Sequence, residues 1–578
     1  MNKILSTLTL FFSITFGFSQ TYITNVTIID VENQKLIPNQ TVVITGDKIS
    51  NIQSSKKIKV AADTSVIDGT NKYLAPGLTD AHVHFFQNGG LYSRPDVIDL
   101  RKEKSFEEVI EFSHENMEDQ LRRYLRSGIT NVIDVGATYN LLELRKTFEN
   151  KNFAPSVYMT GPLLTTYEPQ VYIGLKKNEP FSLVKTEEDG RKMVQAQLAH
   201  KPDFIKIWYI AGADGLDAET SAKKNSPLIK AIIEEAHKNN LKVAVHASER
   251  ITAQLAVENG ADFLVHSVDD EIVQPDFVNL LKKNKVILCP TLTVYDGYMN
   301  TFGQKHSFSD LELTQTNPYQ LGTLLDLKHI QDTLLVNQYK SMANSERSMS
   351  GLKKSDSISM VNLKILSDAG VLIATGTDAG NIGTLHASSY LKELQTMHKS
   401  GMSNWQILQA STINGAKVLD KQNEFGSVSI GKNANLILLD ENPVDKIENL
   451  TKIHRVINKG TVFNPESLVE ETPEALVQRQ LNGYNLRNID AFLEPYADDV
   501  EIYNYPDQLA SKGKENMRLG YSQMFQTVPN LHCELKGRLI RGNIVIDQEY
   551  VQFGDKILEA IAIYHIENNK IKKVYFIQ

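Results

Sequence analysis

Residues 78–85 read Leu-Thr-Asp-Ala-His-Val-His-Phe, and this segment decides how the rest of the chain is interpreted. It is an apolar run of strand length in which Asp80, His82 and His84 occupy alternate positions. Alternate residues of a strand face the same side, so we expect these three side chains to project together. Two histidines in this spacing are suited to holding one metal ion. The segment therefore predicts a buried strand with a metal-binding edge.

Seven more apolar runs follow, and amphipathic, helix-like stretches separate them. This alternation is typical of a parallel sheet. Eight repeats over roughly 330 residues predict an α/β fold, a (β/α)₈ TIM-type barrel with functional side chains at the carboxyl ends of its strands. A mostly helical insertion around residues 302–357 is expected to cover that face as a lid or substrate wall. The eight predicted strands are 78–85, 129–136, 156–163, 204–210, 242–247, 263–268, 286–293 and 371–378.

Strand-like segments with turns flank this region at residues 22–52 and 435–463. Neither set has enough strands to bury its own faces, so we expect the two to combine into one small β-sandwich. The predicted boundaries are 20–73 and 420–466 for the β-sandwich and 74–419 for the barrel.

The pattern changes again after Pro465. Thr472 and Pro473 are typical of an N-cap and a first helical residue. A helix to about Leu493 and five strands are expected to follow, so residues 471–578 predict a separate α+β domain. The five strands are 500–505, 535–541, 543–553, 558–567 and 570–577.

The N-terminus has the features of a secretory signal peptide. Lys3 precedes an apolar run at 4–16, and Gly17 and Ser19 provide the small-residue spacing that a signal peptidase reads. We therefore predict that residues 1–19 are removed and that the chain is exported, to the periplasm or the medium; a buried N-terminal strand is the alternative. No later segment reaches ~20 consecutive apolar residues, so the mature chain is expected to have no membrane span.

Charge and cysteine content exclude several classes of function. The 578 residues include 61 Lys+Arg and 69 Asp+Glu, a net charge of −8. This balance argues against nucleic acid as a partner, because phosphate binding needs concentrated positive charge. Cys289 and Cys533 provide neither a disulfide framework nor a cysteine-type zinc site. A small-molecule substrate is the expected partner.

Three further strand ends carry metal-ligating side chains. His246, His266 and Asp378 each close an apolar run and precede a polar loop. Any one of them alone is explained by helix capping or a core hydrogen bond. With His82 and His84, however, five such residues lie at the ends of strands one, five, six and eight, and burying them together without a shared cation is costly. Zinc binds imidazole nitrogen and carboxylate oxygen readily.

Lys206 interrupts the apolar run Phe204–Trp208, where an unpaired ammonium group is unfavourable. Two interpretations are open. The lysine pairs with a carboxylate of the barrel, or its neutral amine has captured CO₂ and become N6-carboxylysine, an anionic ligand that bridges two metal ions.

Four motifs resemble those of the amidohydrolase superfamily, in particular its imidazolonepropionase-like and Xaa-Pro dipeptidase-like members, and the resemblance covers residues 21–466. It implies that the first metal ion binds His82, His84 and Asp378. It implies that the second binds His246 and His266, with carboxylated Lys206 as the bridge. The implied cofactors are Zn²⁺, two per chain, or other divalent metals, and CO₂ for the lysine. The motifs are Gly77–His84, Phe204–Ile207, Val243–Ala247 and Ala374–Asp378.

The resemblance implies hydrolysis of a C–N bond in an amide, a dipeptide or a cyclic amide, by a metal-activated hydroxide with Asp378 as the proton shuttle. Hydrolysis of a lactone or phosphoester on the same site is an alternative, and a non-enzymatic small-molecule binding protein is the competing class. Tyr172, Tyr295 and His386 follow predicted strands three, seven and eight, and are expected on loops at the mouth as candidates for substrate binding.

Residues 488–500 resemble the SnoaL-like, NTF2-like cone fold, and this resemblance extends over 473–578. Such folds often hold a pocket or dimerise. We therefore expect a binding role, or a homo-oligomer formed through this domain, and no second catalytic site. Four polar residues are candidates for the cone interior, although alternating polar residues usually form the solvated face of a strand. They are Asp499, Tyr503, Asp547 and Glu549.

Overall fold

The computed structural model describes residues 20–60 and 64–577, so the predicted signal peptide at 1–19 lies outside the described residues. The described residues begin with five strands, and Ile23, Val26 and Ile28 of the first strand are buried in their common core. The strands are β1 (Gln20–Asp30), β2 (Lys35–Thr45), β3 (Lys48–Ser54), β4 (Ser65–Asp68) and β5 (Tyr73–Pro76).

The central region contains ten short strands. Each of the eight apolar runs predicted as strands contains one, and every pairing within the two sheets that they form is parallel. The sheet orders are β6-β7-β8 and β10-β9-β11-β12-β13-β14-β15. The bounds are β6 (Leu78–Val83), β7 (Ile129–Asp134), β8 (Ser156–Met159), β9 (Leu163–Thr165), β10 (Phe181–Leu183), β11 (Ile205–Trp208), β12 (Val243–His246), β13 (Phe263–Val265), β14 (Ile287–Cys289) and β15 (Leu372–Ile373).

The third predicted strand is split, which divides the sheet in two. β8 lies within the predicted strand and pairs with β7, whereas β9 shares only Leu163 with the predicted strand and pairs with β11. Gly161 and Pro162 lie between β8 and β9, and proline has no amide hydrogen to donate. On the other side, the Ala81 amide of β6 donates to the Thr375 carbonyl beyond β15 at 2.8 Å. The pairing establishes an α/β domain with parallel sheets, and does not by itself confirm the closed barrel.

Helices connect these strands. Most begin at a side-chain cap; Ser105 and Thr186, for example, form capping boxes. Five helices, α8 to α12, lie between β14 and β15 and form the insertion. The bounds are α1 (Phe106–Glu115), α2 (Met117–Arg126), α3 (Tyr139–Leu144), α4 (Glu187–Leu198), α5 (Ala218–Lys238), α6 (Arg250–Glu258), α7 (Pro275–Asn284), α8 (Val294–Phe302), α9 (Asp310–Gln315), α10 (Pro318–Thr323), α11 (Thr333–Asn344), α12 (Glu346–Asp368), α13 (Tyr390–Lys399), α14 (Asn404–Ala410) and α15 (Ile413–Val418).

Three later strands return to the N-terminal strands. β16 pairs antiparallel with β5, so both flanks of the central region contribute to one eight-stranded sheet. Its order is β18-β17-β16-β5-β1-β2-β3, with β4 paired to β1. The added strands are β16 (Leu436–Leu439), β17 (Ile453–Asn458) and β18 (Thr461–Phe463).

The C-terminal part forms a separate β-rich domain with its own core, and its sheet order is β20-β19-β24-β23-β22-β21. The predicted single helix to Leu493 is two helices, because Arg487 adopts a left-handed conformation (φ 56°) and Asn488 caps the second helix. Within the described residues no helix is long and apolar enough to cross a membrane. The elements are α16 (Pro473–Asn485), α17 (Ile489–Leu493), α18 (Lys514–Thr527), β19 (Tyr496–Asn504), β20 (Gln508–Lys512), β21 (His532–Arg541), β22 (Ile544–Phe553), β23 (Lys556–Glu567) and β24 (Lys570–Ile577).

Candidate metal centre

Three side chains converge at the carboxyl end of β6. Nε2 of His82 lies 3.2 Å from Nε2 of His84, and these nitrogens lie 3.1 and 3.2 Å from Oδ1 of Asp378. Asp378 follows β15, and its amide donates to the His82 carbonyl at 2.7 Å, so main-chain pairing brings the carboxylate to the two imidazoles. Asp378 adopts a left-handed conformation (φ 57°). The sequence-predicted trio is therefore assembled by neighbouring strand ends.

His246 is the last residue of β12 and His266 directly follows β13, and their rings complete a cluster of imidazoles. Their ring centroids are 4.3 Å apart, and His266 lies 5.0 Å from His82 by the same measure. His266 is also left-handed (φ 77°), and its Nδ1 lies 2.6 Å from the Thr291 hydroxyl, which fixes the ring. Ligand atoms of His82, His266 and Asp378 all lie within 4.8 Å of one another. The structure thus brings together the four histidines that the sequence analysis named as candidate metal ligands.

Lys206 lies on β11, is 1% exposed, and lines the same cavity as the histidines. Among the described residues its ammonium group makes no hydrogen bond and no ion pair. Burial lowers the pKa of Lys206 to about 7, although the nearby Asp378 carboxylate opposes this shift. The first interpretation from the sequence was that Lys206 pairs directly with a barrel carboxylate. Among the described residues, no carboxylate lies within ion-pair distance of Lys206.

The donor set fits a divalent cation. Burial lowers the pKa of His82 to about 4 and those of His246 and His266 well below their ordinary value, so the imidazoles are neutral and keep their lone pairs. Burial opposes ionisation of Asp378, but His82 and His84 outweigh it and hold its pKa low. Ligands of a tetrahedral zinc ion at about 2.0–2.1 Å lie about 3.3 Å apart. The separations between the His82, His84 and Asp378 atoms match this spacing.

Two buried carboxylates support the trio from behind. Asp80 accepts hydrogen bonds from the amide and the hydroxyl of Thr377 at 3.0 and 2.7 Å, so it holds the strand end that carries Asp378. Asp134 accepts from the amides of Phe85 and Gly136, and its Oδ1 lies 3.9 Å from Nδ1 of His84. Burial raises the pKa of Asp80 to about 7 and that of Asp134 to about 6. Asp80 therefore positions the site and does not line its cavity.

The cluster lies at the bottom of a cavity of about 790 Å³. Phe86, Phe181 and Trp208 form an aromatic wall, and helices α8, α11 and α12 of the insertion contribute the opposite wall, with Met299 and Met342. Tyr295 lines the cavity, as expected. The insertion therefore covers the metal-binding face.

Tyr172 and His386 do not lie at the mouth, which corrects their expected placement. Tyr172 is 1% exposed and donates from its hydroxyl to Asp96 at 2.5 Å. His386 is 3% exposed, stacks on Phe85, and bonds to the Tyr124 hydroxyl and the Gln87 carbonyl at 2.9 Å each. Both side chains fold back into the core, because loop residues next to a strand end find apolar neighbours and main-chain partners there.

Arg94 is a cavity residue that the sequence analysis missed. Its guanidinium forms a bidentate pair with Asp96 at 2.7–2.8 Å and donates to the Tyr298 hydroxyl at 3.0 Å and to Asn381. Asn381 in turn donates to the Asp378 carbonyl at 3.0 Å. These residues lie in three distant segments, so no local pattern announces the network. The pairing of Arg94 with Asn381, 287 positions away, is visible only once the chain is folded.

The C-terminal domain encloses a second cavity of about 470 Å³. Glu549 lines it and accepts a hydrogen bond from the Tyr564 hydroxyl at 2.9 Å. Asp547 is buried in a bidentate pair with Arg538 at 2.6–2.7 Å. Asp499 pairs with Lys572, and Tyr503 donates to Glu501 at 2.8 Å, both on the outer surface. Of the four polar candidates, Glu549 alone lines this cavity.

Comparison with known protein families divides the chain in the same way. The amidohydrolase family model matches residues 73–463, and the SnoaL-like domain model matches residues 477–574. A 5'-deoxyadenosine deaminase of Methanobrevibacter smithii is 31% identical over 145 residues, which are 24% of this chain and 33% of the deaminase. The chain thus spans about a third of that relative. The ochratoxinase of Aspergillus niger is 22% identical over 409 residues, 65% of this chain and 72% of the ochratoxinase.

Solved structures show the same fold. A Xaa-Pro dipeptidase with bound methionine in its active site superposes with a TM-score of 0.56 at 22% identity, over 77% of this chain and 100% of the dipeptidase. The A. niger ochratoxinase gives a TM-score of 0.58 at 19% identity over 77% and 96% of the two chains. Molinate hydrolase gives 0.58 at 18% identity over 78% and 96%. Because the amidohydrolase family model matches more than half of its residues, the chain belongs to the amidohydrolase family. It also carries a SnoaL-like domain in its C-terminal part.

Proposed function

We propose that this protein is an exported, metal-dependent hydrolase that cleaves a C–N bond of an amide, a dipeptide or a cyclic amide. The observation that carries the proposal is the convergence of His82, His84 and Asp378 around one point, with His246, His266 and the unpartnered Lys206 in the same cavity wall. His82, His84, Lys206 and Asp378 are buried and His246 and His266 are half-buried, and bound cations would offset the loss of hydration of these six groups. A degenerate scaffold has no reason to keep them converged.

The residues divide between two divalent cations, most simply zinc. His82, His84 and Asp378 would hold the first, and His246 and His266 the second, with Lys206 between them. Bound divalent cations supply a nucleophile from water near neutral pH and polarise the scissile carbonyl.

In its carboxylated form, Lys206 would supply an anionic ligand to both cations. Its neutral amine adds to CO₂, a C–N bond forms, and one proton leaves, so the ammonium position becomes a carbamate anion. Burial favours the neutral amine that this addition needs.

Asp378 acts as the proton shuttle. Its carboxylate accepts the proton of the attacking water and delivers it to the leaving nitrogen. Asp80 and Asn381 hold the main chain on either side of it, through Thr377 and through the Asp378 carbonyl. Helices α8, α11 and α12 of the insertion line the cavity in which this transfer would take place.

The proposal includes the setting of the enzyme. Residues 1–19 are a cleaved signal peptide, and the mature chain acts in the periplasm or the medium. Its β-sandwich is bounded at 20–73 and 420–466 and its barrel at 74–419. The domain at 471–578 binds a ligand or forms a homo-oligomer.

The first test is metal content, measured by plasma mass spectrometry on protein purified without chelator. Two zinc-like ions per chain are expected. One ion keeps the hydrolase but contradicts the bridging role of Lys206 or the second site. No ion, even after incubation with zinc and bicarbonate, contradicts the proposal and favours a binding protein.

A lysine variant tests the bridge. Lys206→Ala should lose the second ion and regain part of its activity with added formate or acetate. Lys432→Ala is the matched control, since Lys432 is also buried, at 8% exposed, but bonds to Ser427 in the flanking region. A fully active, metal-replete Lys206→Ala protein would remove the carbamate from the mechanism.

A substrate panel then separates the bond types. Dipeptides, N-acyl amino acids, cyclic amides, lactones and phosphotriesters are assayed with the zinc-loaded chain. Turnover of the amide classes is expected. Turnover of lactones or phosphotriesters alone would overturn the C–N assignment while leaving the metal site intact.

A further inference from the structure

A polar cavity of about 460 Å³ lies between the amidohydrolase part of the chain and the SnoaL-like domain. We call it the interdomain cavity. Its lining residues come from segments 88–112, 319–331, 478–485 and 532–536, and among the described residues it shares none with the cavity of the metal centre. The walls are held together where α10 packs on α16, and Nδ2 of Asn482 donates to the Pro318 carbonyl at 2.7 Å.

Gln320, His329 and His532 in its wall each carry a buried polar atom without a hydrogen-bond partner among the described residues. Gln320 and His532 are each 2% exposed, and the unpartnered atoms are Nε2 of Gln320 and Nδ1 of His532. The third is Nε2 of His329. Buried polar groups are ordinarily hydrogen-bonded, because leaving them unpaired costs free energy. A ligand in the cavity would supply the missing partners.

The two histidines meet across the domain boundary. Their rings stack with centroids 3.2 Å apart, His329 from the insertion and His532 from β21. Burial lowers the pKa of His329 to about 3 and that of His532 further, so both rings are neutral. The stack therefore adds no positive charge to the cavity.

Asp326 is the group that most needs a partner. It accepts one hydrogen bond, from the Tyr92 hydroxyl at 3.3 Å, and forms no ion pair within the described part of the chain. The lysines around the cavity are engaged elsewhere. Lys536 pairs with Glu534 at 2.6 Å, and Lys104 lies over the rings of Tyr92 and Phe112 at 6.0 and 5.7 Å. Burial and the neighbouring Glu534 raise the pKa of Asp326 to about 7. A cation next to Asp326 would relieve that cost.

We propose that the interdomain cavity binds a small organic ammonium compound that also carries a hydrogen-bond acceptor, the chemistry of an α-amino acid. The ammonium group pairs with Asp326, and the acceptor takes the free hydrogens of the Gln320 amide. An apolar substituent packs against Ile330 and Leu481, which line the same cavity. A metal ion fits less well, because the described residues provide a close group of three ligands at the metal centre and not here.

The cavity lies back to back with the metal centre. Along the segment after β6, Phe86 and Arg94 line the metal cavity, whereas Asn88 and Tyr92 line the interdomain cavity. The insertion does the same through different helices. A ligand in the interdomain cavity would therefore contact elements that also shape the proposed active site.

The test is calorimetric titration of the full chain with leucine. Leucine should bind, whereas N-acetylleucine, which lacks the ammonium group, and isoamylamine, which lacks the acceptor, should bind at least tenfold more weakly. Asp326→Asn should weaken leucine binding at least tenfold. Asp310→Asn, an exposed residue on the same insertion, is the control and should bind as the wild type does.

A second pair of variants guards against misfolding and against binding at the metal centre. Gln320→Ala should also weaken binding, and its melting temperature is measured beside that of Asp326→Asn. Asp378→Asn, altered at the metal centre, should bind leucine unchanged. The proposal is overturned if leucine does not bind to the wild type. It is also overturned if Asp326→Asn and Gln320→Ala bind leucine as tightly as the wild type does. Loss of binding only in Asp378→Asn would place leucine at the metal centre and overturn it equally.

Discussion

The metal cavity and the cavity of the SnoaL-like domain treat buried charge in opposite ways. In the metal cavity, Lys206 forms no direct ion pair within the described residues, although the Asp378 carboxylate lies nearby among the imidazoles. In the SnoaL-like domain, Arg538 neutralises Asp547 directly, and Tyr564 bonds to Glu549. The side chains of the metal cavity are thus left able to bind a ligand. The two carboxylates of the SnoaL-like domain already have partners within the chain.

This difference indicates which role the buried polar groups have in each domain. A charge left unpaired in a cavity is poised to act on a ligand, whereas a charge paired within the chain stabilises the fold. Substitutions in the metal cavity should therefore lower activity with little loss of stability, and substitutions in the SnoaL-like domain should do the reverse.

The largest effect is expected for Asp378→Asn. The amide cannot accept the proton of the attacking water, and a positioned proton acceptor contributes about 10²–10⁴ to rate. We expect kcat to fall by about a thousandfold, with a melting temperature close to that of the wild type. Metal content is measured in the same sample, because the change also weakens one ligand. Activity above a tenth of the wild-type value at full metal loading would break the comparison.

Asp547→Asn tests the other side. Asp547 is fully buried and Arg538 nearly so, and removing one partner of a buried pair costs about 3–5 kcal/mol because the other charge is left uncompensated. Urea unfolding should show this loss, while kcat per folded chain stays unchanged. Asp499→Asn is the matched control, since its ion pair with Lys572 is exposed and its removal should leave stability unaltered. A catalytic defect in folded Asp547→Asn would contradict the division of roles.

A pH-dependent effect of intermediate size is expected at Glu549. Burial raises its pKa from 4.5 to about 7, so between these values the folded chain binds more protons than the unfolded chain. The free energy of unfolding therefore falls as pH rises through this window, by up to about 3 kcal/mol. Glu549→Gln removes this contribution.

Urea unfolding at pH 5 and pH 8 measures the effect. The wild type should lose more stability than Glu549→Gln between the two pH values, since all other titrating groups are common to both. Glu515→Gln, an exposed change on α18, should follow the wild type. Equal pH dependence in all three proteins would show that Glu549 is not held protonated by burial.

The convergence of the proposed metal ligands was predictable from the sequence for a simple geometric reason. His246, His266 and Asp378 each close an apolar run, and parallel strands bring such ends to one edge regardless of the intervening loops. The apolar alternation of a strand and the residue that ends it can both be read from the local sequence. The break in the third strand was not predicted, although Gly161 and Pro162 lie at it.

Other features depend on contacts that no local pattern encodes. His386 turns inward because Phe85, 301 positions earlier, offers it a stacking surface. The edge strand β20 was missed because four of its five residues are exposed, so it has no apolar alternation to read. The interdomain cavity requires two domains to be placed against each other. Loop direction and domain packing are thus where sequence reasoning stopped.

The smallest effect concerns Glu393, a fully buried residue of α13 that touches no ligand. Its carboxylate accepts from the Leu292 amide at 2.9 Å and from the Thr293 amide at 3.2 Å, and so clamps the loop after β14. That loop carries Thr291, which is held in a left-handed conformation (φ 48°) with its hydroxyl 2.6 Å from His266. We therefore expect Glu393 to position His266 through three connected contacts.

Glu393→Gln keeps the size of the side chain but turns an N–H₂ group toward one of the two amides. A lost hydrogen bond is worth about 0.5–1.5 kcal/mol, so affinity for the ion at His246 and His266 should fall about tenfold while the ion at His82 and His84 stays bound. Cobalt titration followed by absorption resolves the two steps. Glu235→Gln, a buried carboxylate bonded to Gln195 far from the cavity, is the control. If Glu393→Gln binds the ion at His246 and His266 as tightly as the wild type does, Thr291 alone holds His266. The position of His266 would then not depend on the hydrogen bonds that Glu393 accepts.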